Sequence, residues 1–178
     1  MIKYIITGFT LLMLLSRFFA HEIKQTSSSG TENRFVVHWN FNEGSGSSAK
    51  ESSGKDCNGK IYNAKWTNGI EGSALVFNGD DAYVDCGNNE MLNFQNSITV
   101  EAWIKPETWV AEDYGIIGKH SDDKNSGWAI QYNGYANLLQ FWININNRTE
   151  ILAAATPLPD AWHYIAGTYG GRNRMVTC

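Results

Sequence analysis

From Ser97 to Lys105 the chain alternates without interruption: Ile98, Val100, Ala102 and Ile104 share one parity, and Thr99, Glu101, Trp103 and Lys105 share the other. A period of two sends successive side chains to opposite faces of a strand, so this run reads as a strand with one apolar face. Similar runs stand on both sides of it, each bounded by turn-forming residues. They are Phe35–Phe41, Gly59–Trp66, Ser73–Asn78, Ala82–Cys86, Gly115–His120, Gly127–Asn133, Leu138–Ile145, Glu150–Ala155 and Trp162–Tyr169. This spacing predicts an all-β sandwich or barrel. After residue 20 no segment keeps helical apolar spacing for three turns. Antiparallel strands in such number bury two inner faces and limit their edges by Greek-key or jelly-roll closure, so the expected fold is an antiparallel β-sandwich. Trp103 and Trp142 fall on the more polar faces of their strands.

The 178 residues suffice for one domain with appendages, and 43% hydrophobic residues supply its core. A net charge of −4 with no cluster of Lys and Arg argues against nucleic acid as a partner. Residues 1–20 read as a signal peptide: Lys3 precedes the apolar run Ile5–Leu15, and Ala20 is the expected cleavage point. That run is short of the roughly 20 residues a membrane helix needs, and no second one follows. Phe18 is an unusual residue at its distance from the cut. Residues 21–34 (HEIKQTSSSGTENR) form a polar leader or linker, and the domain occupies 35–178. The expected location is therefore secreted, with no membrane span in the mature chain.

Cys57, Cys86 and Cys178 leave three disulfide pairings open by arithmetic, and the absence of a CxxC argues against zinc. Glycoside hydrolysis needs two carboxyl groups about 5–5.5 Å or about 6.5–9.5 Å apart across the bond. No Asp or Glu lies two residues from another, so no strand presents such a pair on one face. Asp80–Asp81 and Asp122–Asp123 are adjacent, and Glu101 is alone on its strand. The histidines are scattered, with no HExxH and no GxSxG. The reading is not an enzyme. Flat aromatic faces suit the apolar face of a sugar ring, with amides to fix its hydroxyls. Trp109, Tyr132, Tyr135 and Trp142, near Asn133, Asn137, Gln140 and Asn144, are the candidate ligand-binding residues. The competing assignment for any Trp in a sandwich is core packing. Asn147-Arg148-Thr149 is a glycosylation sequon.

Five motifs follow one another in order: HWNFNEGSGSSAKESSG (38–54), NGK (58–60), GIEGSALVFNGDDAYVDCG (69–87), SITVEAWIKP (97–106) and AWHYIAGTYGG (161–171). This succession resembles the laminin-G-like jelly rolls of the concanavalin A-like lectin/glucanase group, modules of secreted bacterial proteins. Glu51 and Asn78 depart from the family, which has Asp at both places. The resemblance implies that Trp39, Trp103 and Trp162 pack, and that His163 makes a structural hydrogen bond. It also implies calcium, whose oxygen ligands would come from Glu43, Glu51, Asp80 and Asp81. Complete members continue beyond the WHxxAxTY strand, whereas this chain stops at GGRNRMVTC. The jelly roll is thus expected to be incomplete at its C-terminal end, with Phe35–Phe41 short of a partner and Phe35, Val37, Trp39 and Phe41 poorly covered. Cys178 lies in that atypical tail, so the expected disulfide joins Cys57 to Cys86. The function implied is an extracellular binding or adhesion module for a glycan or a protein. The alternatives are a structural spacer of a larger exported protein and a fragment of a glycoside hydrolase.

Overall fold

Ile98, Val100, Ala102 and Ile104 are each no more than 2% exposed, and their row on β8 (Ser97–Pro106) runs through the core. The computed structural model describes residues 4–12, 35–93, 96–121, 126–145, 148–170 and 173–177. Among the described residues seven strands precede β8 and six follow it. The first seven are β1 (Tyr4–Leu12), β2 (Phe35–Trp39), β3 (Ser48–Ala49), β4 (Gly59–Tyr62), β5 (Lys65–Asn68), β6 (Ser73–Phe77) and β7 (Tyr83–Asp85). After β8 come β9 (Tyr114–Ser121), β10 (Ser126–Asn133), β11 (Leu138–Ile145), β12 (Arg148–Ala155), β13 (His163–Gly170) and β14 (Asn173–Thr177). All named pairings are antiparallel. The fold is an all-β jelly-roll sandwich, as the alternating runs predict.

A seven-stranded sheet has the order β14-β13-β8-β1-β6-β5, with β2 also on β1. A four-stranded sheet runs β12-β11-β10-β9, and a small sheet runs β3-β4-β7. The core contains Val37, Trp39, Leu75 and the β8 row from the large sheet, with Trp128, Ile130, Leu139, Phe141 and Ile143 from the four-stranded one. Burying these apolar faces against each other is the main driving force for a sandwich. Thr99, on the opposite parity of β8, is buried too, and its hydroxyl lies 3.1 Å from that of its cross-strand partner Thr168. The pair satisfies two hydroxyls that would otherwise be costly to bury.

Four details differ from the sequence reading. The run Gly59–Trp66 breaks at Asn63, which adopts φ 54°, and its side-chain amide is held by Asp81 at 2.7 Å. Asn tolerates this left-handed backbone, so one apparent strand becomes two that join different sheets. The tail, read as irregular, forms β14 on β13. Residues 4–12, which lie within the expected signal peptide, form β1 within the large sheet. Finally, Val37, Trp39 and Phe41 are at most 6% exposed, not poorly covered as expected. One edge of β2 is paired with β1, and the other has a single bridge, Trp39 to Glu51. The core covers these side chains although the second edge is barely paired.

Candidate functional site

β11 has two parities with different environments. Leu139, Phe141 and Ile143 are buried in the core, while Gln140 and Trp142 are half-exposed. The neighbouring β12 repeats the pattern: Thr149, Ile151, Ala153 and Ala155 are exposed. Trp142 stands opposite Ala129 on β10 and Ile151 on β12, and Ala129 stands opposite Gly118 on β9. The cross-strand row Gly118–Ala129–Trp142–Ile151 therefore lies on the outer face of the four-stranded sheet. At the β9 end of this row Gly118, opposite Ala129, has no side chain. Ile151 on the other side is 53% exposed, high for a large aliphatic residue.

Polar groups border this row on both sides. In the next row Gln131 donates its side-chain amide to the Gln140 side-chain carbonyl at 3.1 Å, across from Ala153. Each glutamine retains its complementary function, an acceptor on Gln131 and a donor on Gln140. In the row beyond Trp142, Asn144 donates Nδ2 to Thr149 Oγ1 at 3.1 Å. Asn144 Oδ1 is buried and has no partner among the described residues. Such an acceptor is uncommon and costs free energy until a donor reaches it.

The four aromatic candidates do not converge. Trp109 packs its ring on Tyr132, centroids 4.3 Å apart, and donates Nε1 to the Pro157 carbonyl at 2.7 Å. Tyr132 is only 2% exposed, and its hydroxyl donates to Asn137 Oδ1 at 3.0 Å. These two are packing residues. Tyr135 is 83% exposed at the tip of the β10–β11 hairpin. Four strand residues separate Trp142 from the start of β11, about 13 Å at 3.3 Å per residue. Tyr135 is therefore not part of the Trp142 surface. The sequence reading missed Gln131, Thr149 and Ile151, which only strand register brings beside Trp142.

The packing tryptophans behave as the motifs imply in two cases. Trp39 is buried and donates Nε1 to the Cys57 carbonyl at 2.8 Å, while Trp103 lies 5.4 Å from the Tyr164 ring. His163 Nε2 sits 2.8 Å from the Leu158 carbonyl, which can only accept, so this nitrogen carries the proton. That is the structural bond expected of it.

Three of the four acids proposed for calcium accept hydrogen bonds from nearby amides. Glu51 Oε1 accepts the backbone N–H of His38 at 2.9 Å and of Ser53 at 2.6 Å, and Oε2 accepts that of Lys55 at 2.6 Å. Burial would raise its pKa, but the Ser53 hydroxyl and these three amides outweigh burial and hold it below the usual 4.5. Asp81 accepts the Asn63 and Asn78 side-chain amides, each at 2.7 Å. The backbone N–H of Asp80 donates to Asn78 Oδ1, as does that of Asp81, which closes a turn. Glu43 Oε1 accepts the Lys50 amide at 2.7 Å, leaving Oε2 buried with no partner among the described residues. Calcium takes six to eight oxygen ligands gathered at one point. Among the described residues no three acidic, His or Cys side chains converge to hold a metal. Asp122 and Asp123 lie outside the described residues, as does the sequon residue Asn147.

Cys57 and Cys86 are both free thiols and do not form the expected disulfide. They nevertheless line one open groove of about 430 Å³, together with Asp56, Asp85, Asn88 and Asn89. Burial, reinforced by Asp85 and Cys57, pushes the Cys86 thiol up to about 12. Cys178 lies outside the described residues.

Among the described residues no helix is long and apolar enough to cross a membrane. A laminin-G family model, described as the concanavalin A-like lectin/glucanases superfamily, matches residues 78–177. No curated protein matches the chain.

Proposed function

The chain belongs to the concanavalin A-like lectin/glucanase superfamily, and on that premise we propose that it is a secreted, non-catalytic module that binds carbohydrate on the outer face of its four-stranded sheet. Membership supports a binding module in general. The observation that carries the finer reading is the Trp142 row: a half-exposed indole beside Gly118, Ala129 and exposed Ile151, bordered by the Gln131–Gln140 pair and by Asn144. The sugar's apolar face stacks on the indole, and its hydroxyls meet the remaining amide functions of Gln131 and Gln140.

Secretion rests on the apolar run Ile5–Leu15 ahead of Ala20. The non-catalytic reading rests on the carboxylates: Glu101 bonds the Tyr164 hydroxyl, and Glu51 and Asp81 are held in loops.

A glycan array probed with the full chain tests the reading, with Trp142→Ala as the matched control. Binding by the parent that falls at least ~tenfold in the variant supports it, since losing one stacked ring costs on the order of 1.4 kcal/mol or more. A parent that binds no glycan on the array, while the chain is folded, would favour the spacer reading.

A further inference from the structure

Among the described residues β1 is the strand that joins the two halves of the large sheet. On one side Tyr4–Leu12 pairs with β8 from Pro106 back to Thr99. On the other, Tyr4–Ile6 pairs with Phe77–Leu75 of β6, and Phe9–Leu12 pairs with Trp39–Phe35 of β2. The order β8-β1-β6, with β2 on β1 alone, means that removing β1 separates β8, β13 and β14 from β5 and β6. It also strips β2 of its only extended pairing among the described residues.

The register ties this strand to the core rows. Ile6 stands between Leu75 and Ile104, Phe9 between Trp39 and Ala102, and Leu11 between Val37 and Val100. All six flanking residues are at most 3% exposed. Two positions three apart cannot share a row in a regular strand. They do so here because Gly8 is skipped in the pairing with β8, where Thr7 faces Trp103 and Phe9 faces Ala102. Such a bulge adds one residue to one strand and restores the parity.

The segment is joined to β2 through residues 13–34, and the stretch 21–34 of that connection is polar and Ser-rich. A cut after Ala20, where a leader would be removed, falls inside this connection. We propose that β1 is a replaceable strand. Without it the sheet presents a slot between β8 and the β2–β6 side that binds an extended apolar peptide, and Tyr4–Leu12 is the peptide it fits. Unpaired N–H and C=O groups on both walls of the slot supply the affinity, and the buried rows supply the register. This inference does not depend on carbohydrate binding.

The test uses the full chain with a protease site placed in residues 21–34. The folded protein is cut and passed over a sizing column, and a labelled peptide of residues 3–12 is then added. The expected result is that the N-terminal fragment stays with the remainder after cutting. The labelled peptide then exchanges in at one per chain, and Ile6→Pro and Leu11→Pro peptides bind at least ~tenfold more weakly because each loses ladder bonds. Release of the fragment with an unchanged melting temperature would overturn the proposal. So would unfolding that added peptide does not reverse, or equal binding of the proline peptides.

Discussion

The Phe141 ring fills the space where a side chain at Gly167 would begin: a β-carbon built there falls 2.5 Å from the ring's Cγ. Gly167 is on β13 of the large sheet and Phe141 on β11 of the four-stranded one, so this contact sets how closely the layers approach. Gly167→Ala should destabilise the fold by about 1–3 kcal/mol through overpacking. Gly115 has nothing within 4 Å of a built β-carbon, and Gly115→Ala should stay within about 0.5 kcal/mol of the parent. Urea melts of the two variants separate crowding from a general effect of removing glycine.

Acid should destabilise the protein in two stages. His38 is held below its usual 6.5 by burial, partly offset by Glu51. Glu51 is held below its usual 4.5 by the Ser53 hydroxyl and three amides, against burial. In both cases the unfolded chain binds the proton more readily, so stability is complete above the unfolded pKa and declines as pH falls towards the folded one. The melting temperature should fall below about pH 6.5 and fall further below about pH 4.5. Glu51→Gln should abolish the second stage and retain the first. A flat profile between pH 6.5 and 3 would contradict the arrangement of this loop.

Cys86 should be slow to alkylate. The thiolate is the reactive form, and a shift from 9 to about 12 leaves on the order of a thousandfold less of it near pH 8. The same raised value means that stability present below pH 9 is lost as pH rises towards 12. Mass spectrometry after timed iodoacetamide treatment checks this on the reduced chain. Rapid labelling of Cys86 in the native state would contradict its burial.

Trp109 should matter for stability and not for binding. Its ring packs on Tyr132 and its N–H bonds the Pro157 carbonyl. Trp109→Ala should cost about 3 kcal/mol, the low end of the range for a packed tryptophan. It should leave glycan affinity unchanged at a temperature where the variant is folded. Loss of affinity without loss of stability would move the site to Trp109.

The sandwich and its central strand were legible because period-two patterning depends only on local sequence. Ile98, Val100, Ala102 and Ile104 are buried as their parity requires, and Trp142 faces outward as its parity requires. Exposure near loops is another matter. Trp109 and Tyr132 sit in a sequence context much like that of Tyr135, and only the opposing residues decide which ring is covered. The acids are hard to read for a related reason: Glu51 and Asp81 look free in sequence, but their oxygens accept bonds from amides folded back from nearby turns. Gln131, Ile151 and β1 depend on pairings between distant segments, which no local pattern reveals.

The account turns on whether sugar occupies the Trp142 face, and the most direct measurement is NMR titration of the chain with the best-bound glycan from the array. Side-chain amide resonances of Gln131, Gln140 and Asn144 and the Trp142 indole N–H should shift together and saturate at one glycan per chain. Shifts confined to Tyr135 at the hairpin tip, or to the groove lined by Asp56, Cys57, Cys86 and Asn89, would contradict it.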